Sequence, residues 1–157
     1  MLTPNQLAAL VGSPDGRYAI AAAYNVVASP DWWVWKTYLT KSEVVNSTSA
    51  DNTTFNWTGN GFITRSAGEL AAWENLFNAS GSVNPSLANV RQAFSDIFSG
   101  AGNAASNRTH LLAVARRKAT RAEKLLGSGS GSTGSPATMG FEGTVTFSDV
   151  DTALNLP

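Results

Sequence analysis

The chain has 157 residues, enough for one domain with a real core, and its eleven basic and eleven acidic side chains cancel to a net charge of zero. That balance excludes a chain built throughout for non-specific nucleic-acid binding, and the lack of cysteine excludes disulfides, thiolate zinc sites and a cysteine nucleophile. Only 14% of residues are charged, well under the usual level of about a quarter, so the surface is dressed with Asn, Ser, Thr and Gly. Such a surface either serves extensive contacts with partners or is simply neutral.

Thr3-Pro4 opens a short helix with Leu7, Leu10 and Val11 on one side, and Ser13-Pro14-Asp15-Gly16 breaks it. The opening residues MLTPNQLAAL show no basic leader, and no segment reaches the length of a membrane span. A second helix is expected from about Arg17 to Val27, with Tyr18, Ala21, Ala22 and Tyr24 inward, ended by Ser29-Pro30. DWWVWKTYL follows. Trp33 and Trp35 share one parity and Trp32 and Val34 the other, so an extended segment buries both faces, while a helical turn fits equally well. The rings of Trp32, Trp33 and Trp35 are either half of the core or an aromatic patch for a partner subunit.

Thr40 and Glu43 have the spacing of a capping box, as do Ser66 with Glu69 and Thr120 with Glu123. Residues 46–61 form a polar loop without a period, pegged by Phe55 and Trp57. Leu70, Trp73 and Phe77 line a helix ending near Ala79-Ser80-Gly81. Asn84 as N-cap and Pro85 at the first helical position open the next, whose stripe is Leu87, Val90, Phe94, Ile97 and Phe98, with Gly100 closing it. A further helical segment carries Leu111, Leu112, Val114 and Ala115 and becomes strongly basic, and the helical pair is expected to anchor the core. Residues 127–140 have the composition of a flexible linker. After it, Phe141, Val145 and Phe147 alternate with polar residues as a strand, and Ser148 with Asp151 is placed to cap a last turn. The expected fold is mainly α: a helical body over 1–126, a Gly/Ser-rich flexible segment over 127–140, and a C-terminal strand and arm over 141–157.

Catalytic chemistry is not evident. No phosphate-binding loop occurs, since no lysine follows the glycine run. His110, the one histidine, reads as a structural residue beside leucines, and no G-x-S-x-G elbow supports a triad around it. No histidine cluster offers a metal site, and Asp149 and Asp151 read as a helix N-terminus. No cofactor is expected. Five N-x-S/T triplets, at Asn46, Asn52, Asn56, Asn78 and Asn107, read as a by-product of Asn/Ser/Thr richness.

Charge placement says more. Arg108, Arg116, Arg117, Lys118, Arg121 and Lys124 are six of the eleven basic residues, and the chain beyond them has Glu142, Asp149 and Asp151 but no cation. The basic segment is a solvated face, a seat for a neighbour's acidic tail, or a surface for nucleic acid. A lone strand at Phe141–Phe147 needs a partner, in its own chain at 33–39 or 53–57, or at the edge of a neighbour.

The run RKATRAEKLLGSGSGSTGSPATMGFEGTVTFSDV resembles the C-terminal part of small proteins encoded in tailed-bacteriophage structural modules. AIAAAYNVVASPDWWVWKT and NVRQAFSDIFSG are similar to their N-terminal and middle parts. The resemblance implies a virion structural protein made in the host bacterial cytoplasm, not an enzyme, and most like a head–tail adaptor or connector (neck) protein. Such a homo-oligomer forms a ring between portal and tail. Capsid decoration, tail completion, a small hydrolase using His110 and a DNA-binding module are the alternatives. On this reading Arg116, Arg117, Lys118, Arg121 and Lys124 meet a carboxylate-rich virion partner or packaged DNA, and Phe141, Val145 and Phe147 reach a neighbouring subunit.

Overall fold

The computed structural model describes residues 2–13, 15–78 and 80–155. Pro14 in the expected break and Ala79 at the expected helix end lie outside them. The fold is mainly α, with eight α-helices among the described residues: α1 (Pro4–Val11), α2 (Gly16–Asn25), α3 (Lys41–Asn46), α4 (Ala67–Asn78), α5 (Ala88–Ile97), α6 (Asn103–Val114), α7 (Arg121–Leu126) and α8 (Phe147–Leu154). Four short strands, β1 (Trp33–Trp35), β2 (Leu39–Thr40), β3 (Ser82–Val83) and β4 (Arg116–Lys118), pair as β1 with β4 and, antiparallel, β2 with β3.

The chain divides into two compact units, and the division is not at the glycine run. One unit is the middle of the chain, 35–117. The other is discontinuous and joins 1–34 to 118–157. The expected division at 126 and 140 is therefore replaced by one in which both ends of the chain fold together.

The middle unit is built on aromatic packing. Trp73 and Phe94 are fully buried, and Phe98, Phe77, Leu39, Val44 and Leu111 close round them. Trp73 stands edge-on to Phe98 with ring centroids 5.3 Å apart and stacks on Phe55 at 5.7 Å, offset and edge-to-face arrangements that suit aromatic quadrupoles. Both expected capping boxes form. Thr40 Oγ1 accepts from the Glu43 N–H at 3.0 Å, and Ser66 Oγ from the Glu69 N–H at 3.2 Å. Helix α5 starts later than its sequence suggests. The Asn84 carboxamide oxygen accepts from the Ser86 N–H at 3.0 Å, which spends it on a local turn, and Leu87 becomes the N-cap. Leu87 is consequently exposed rather than part of the buried stripe.

The second unit packs α1, α2, α7 and α8 with the glycine-rich segment. Ile20 and Ala21 of α2 meet Val150 of α8, with Leu7, Leu10, Tyr24, Val145 and Leu154 around them. Tyr18 and Ala22 face outward, against expectation. A smaller cluster joins Val34, Ala119 and Ala137 to Trp32 and Met139.

The C-terminal strand is not formed. Residues 141–146 are irregular, and α8 begins at Phe147 because Thr146, not Ser148, caps it: Thr146 Oγ1 accepts from the Asp149 N–H, and the Asp149 carboxylate accepts from the Thr146 N–H at 2.7 Å. Val145 still makes a strand-like pair of bonds, but with a side chain. Its N–H donates to Asn25 Oδ1 and its carbonyl accepts from Asn25 Nδ2, both at 2.8 Å. One carboxamide thus satisfies the backbone that would otherwise seek a neighbouring strand.

Residues 127–140 are likewise fixed. Ser128 and Thr138 exchange backbone hydrogen bonds of 2.8 and 2.9 Å, and Ala137 bridges in parallel to Val34. The Trp33 N–H donates to the Gly131 carbonyl at 2.7 Å, and Trp32 Nε1 donates to the Ser130 carbonyl at 3.1 Å. Gly131 has φ of +65°, and a Cβ there would overlap the Trp32 indole. The glycine is needed for backbone conformation and for the ring's approach, not for flexibility.

Candidate functional site

The basic residues fall in both units. Helix α6 ends at Val114, and Arg116, Arg117 and Lys118 lie in β4 rather than on a helix. Arg116 pairs with Asp51, Lys118 with Asp31 at 2.7 Å, and Arg108 donates to the carbonyls of Phe98 and Gly100. Arg117 is half-buried. Of the acidic tail, Asp151 pairs with Arg17 at 2.7 Å, and Asp149 completes the Thr146 capping box of α8. Two basic residues stand apart. Arg121 donates to the Ala23 carbonyl at 3.3 Å, Lys124 has no ion-pair partner among the described residues, and both line a hollow of about 310 Å³ with Ala28, Ser29 and Leu125.

Beside that hollow lies an apolar groove of about 420 Å³. Helix α1 contributes Leu7, α2 Ile20 and Tyr24, α7 Ala122, Leu125 and Leu126, and α8 Val150, Ala153 and Leu154. Leu125 belongs to the linings of both. Leu125 and Leu126 are 47% and 58% exposed, so the apolar wall continues onto the surface. Asp149 stands in the lining as well. The Thr146 N–H and hydroxyl, both donating to its carboxylate, hold its pKa below the ordinary value. The sequence reading missed this groove, because the helices that form it are a hundred residues apart in the chain. The exposed Leu125–Leu126 pair was the available signal.

The three tryptophans fall in both units. Trp32 covers the glycine segment and Trp33 lies 5.9 Å from Lys118 Nζ. Trp35 sits under the Arg91 guanidinium, 4.5 Å from its ring centre, in the middle unit. All three are half-buried. Of the expected arm residues, Val145 packs into the α2–α8 cluster, Phe147 lies against Tyr18 with ring centroids 4.7 Å apart and tilted by 33°, and Phe141 is half-buried. Val145 and Phe147 thus pack within their own unit rather than standing free as an arm.

His110 is fully buried in the middle unit. Its Nε2 lies 2.7 Å from the Val44 carbonyl, which can only accept, so the proton sits on Nε2. Nδ1 then accepts from the Thr53 hydroxyl at 3.1 Å, and Thr53 in turn accepts from Ser49 at 2.6 Å. The chain of bonds locks the 49–53 turn onto α6. A carbonyl in place of a carboxylate on the far nitrogen stabilises an imidazolium far less well than a triad's acid does. Asn107, also fully buried, accepts from the Asn56 N–H at 2.7 Å and donates to the carbonyls of Asn56 and Gly61 at 3.0 and 2.8 Å. A buried amide so engaged carries no glycan, in line with the compositional reading of its triplet.

No family model, curated protein or solved structure matches the chain. Among the described residues no group of three or more His, Cys, Asp or Glu is placed to hold a metal ion, and no helix is long and apolar enough to cross a membrane.

Proposed function

We propose that the chain is a structural subunit of a tailed-bacteriophage virion, a head–tail adaptor or connector that assembles with copies of itself between portal and tail. The setting comes from the resemblance carried by residues 117–150, 19–37 and 89–100. The observation that supports a subunit role is the apolar groove of the terminal unit, with Leu125 and Leu126 half-exposed at its rim. A chain with 14% charged residues and such a face gains by covering it. The terminal arm no longer contributes to the reading, since Val145 and Phe147 are packed on their own unit. Contact with neighbours is therefore assigned to the helical faces.

The test is immunogold labelling of particles with antibody raised against the chain. Label confined to the neck is the expected result. Label over the shell moves the chain to the decoration class, label at the distal tail to tail completion, and unlabelled particles overturn the virion reading.

A further inference from the structure

The groove and the basic hollow beside it share Leu125, and together they describe one ligand. We infer that they form a single docking site for an amphipathic, acidic helical segment of a partner protein, whose apolar side lies in the groove and whose carboxylates meet Arg121 and Lys124. The inference rests on the proposed role as an assembly subunit and names the partner chemistry of that surface.

Three features lead there. Helices α1, α2, α7 and α8 all open onto the groove, an arrangement that accepts a further helix presenting apolar residues at steps of three and four. The walls run out to half-exposed leucines, so the occupant keeps one side in water, as a surface helix does and an enclosed lipid chain does not. The charges of the two hollows differ. Among the described residues Lys124 has no ion-pair partner and the Arg121 guanidinium makes one long bond to a carbonyl, whereas Asp149 stands in the groove lining. Acidic side chains are attracted to the first region and repelled at the second, which sets the polarity of the bound segment. The other basic residues of the region do not compete for this role, because Arg116 and Lys118 already hold Asp51 and Asp31.

The probe is a synthetic 16-residue helical peptide with leucines at positions spaced three and four apart and two glutamates at one end. It is titrated against the full chain by fluorescence anisotropy, beside a copy with the glutamates replaced by lysine. The acidic peptide should bind, and the basic copy at least about tenfold more weakly. Lys124→Glu should reverse that preference. Ala153→Trp, which fills the groove from an exposed position, should abolish binding of both while leaving the circular dichroism unchanged. Equal binding of the two peptides, or no binding of either, overturns the proposal. So does a self-association that Ala153→Trp abolishes, since the occupant is then a second copy. A chain that assembles through another face yet ignores the peptides fails here without failing as a subunit, and a peptide-binding chain that labels no particle does the reverse.

Discussion

Asn107 serves three backbone groups with one fully buried side chain. Its amide satisfies a backbone N–H and two carbonyls of the 56–61 loop from the fully buried face of α6. Asn107→Ala leaves those three groups without partners and should lower stability by about 3 kcal/mol, read as a lower urea midpoint with unchanged slope. A loss under about 0.5 kcal/mol would mean that water replaces the amide. The caps give a second residue-scale expectation. Glu43 is pushed upward by burial, but the Lys36 ammonium at 2.8 Å and the Thr40 N–H outweigh this and hold its pKa below the ordinary carboxylate value. Glu69 lies below its ordinary value because the Ser66 N–H and hydroxyl donate to it, with Arg65 adding to the effect, and Asp149 because Thr146 donates to it. A carboxylate depressed in the folded state stabilises it above the unfolded pKa and loses that contribution as pH falls through the folded one. The melting temperature should therefore be insensitive to these groups near neutrality and should fall below about pH 4.5. Glu43→Gln should show a smaller acid-side fall than the parent, and an identical fall would remove Glu43 from the account.

At the level of elements, the glycine segment makes the sharpest prediction. Gly131→Ala places a Cβ on the Trp32 indole at a φ of +65° and should cost about 3 kcal/mol, with a change in tryptophan fluorescence. Gly134→Ala meets nothing within 4 Å and should be close to neutral in the same thermal melts. Equal effects at the two positions would restore the flexible-linker reading of 127–140. The elements legible in the sequence were those with a local signal. The capping pairs Thr40–Glu43, Ser66–Glu69 and Thr120–Glu123 all mark real helix starts, and Trp33–Trp35 is extended as its parity allows. Those misread had a competing local partner. Phe141–Phe147 alternates like a strand, but the Thr146–Asp149 box starts a helix inside it and Asn25 takes the Val145 backbone. Arg116–Lys118 continues a helical composition, yet α6 ends at Val114 and the next three residues become β4. Asn84-Pro85 has the residues of a helix start, but Asn84 turns on Ser86 instead.

For the whole molecule, apolar periodicity and capping pairs pointed to the mainly helical class but not to the division of the chain. A unit that joins 1–34 to 118–157 is held by pairs such as Asn25–Val145, Arg17–Asp151 and Ile20 with Val150, each separated by more than a hundred residues. No periodicity announces such pairs, and a glycine-rich run between them imitates a boundary. The groove belongs to the same class of feature. It exists only because α1 and α2 meet α7 and α8, so the cations at 121 and 124 acquire meaning from neighbours that the sequence keeps far away. Its half-exposed leucines are the reason to expect a partner there, and the sparsely charged surface is the reason to expect copies of the chain to associate through other faces. Sedimentation velocity on the full chain, from low micromolar to high micromolar concentration, tests that expectation most directly. The account predicts a discrete, ring-sized oligomer that Ala153→Trp leaves intact, since the groove is kept for another partner. A single 16.5 kDa species at every concentration would contradict it.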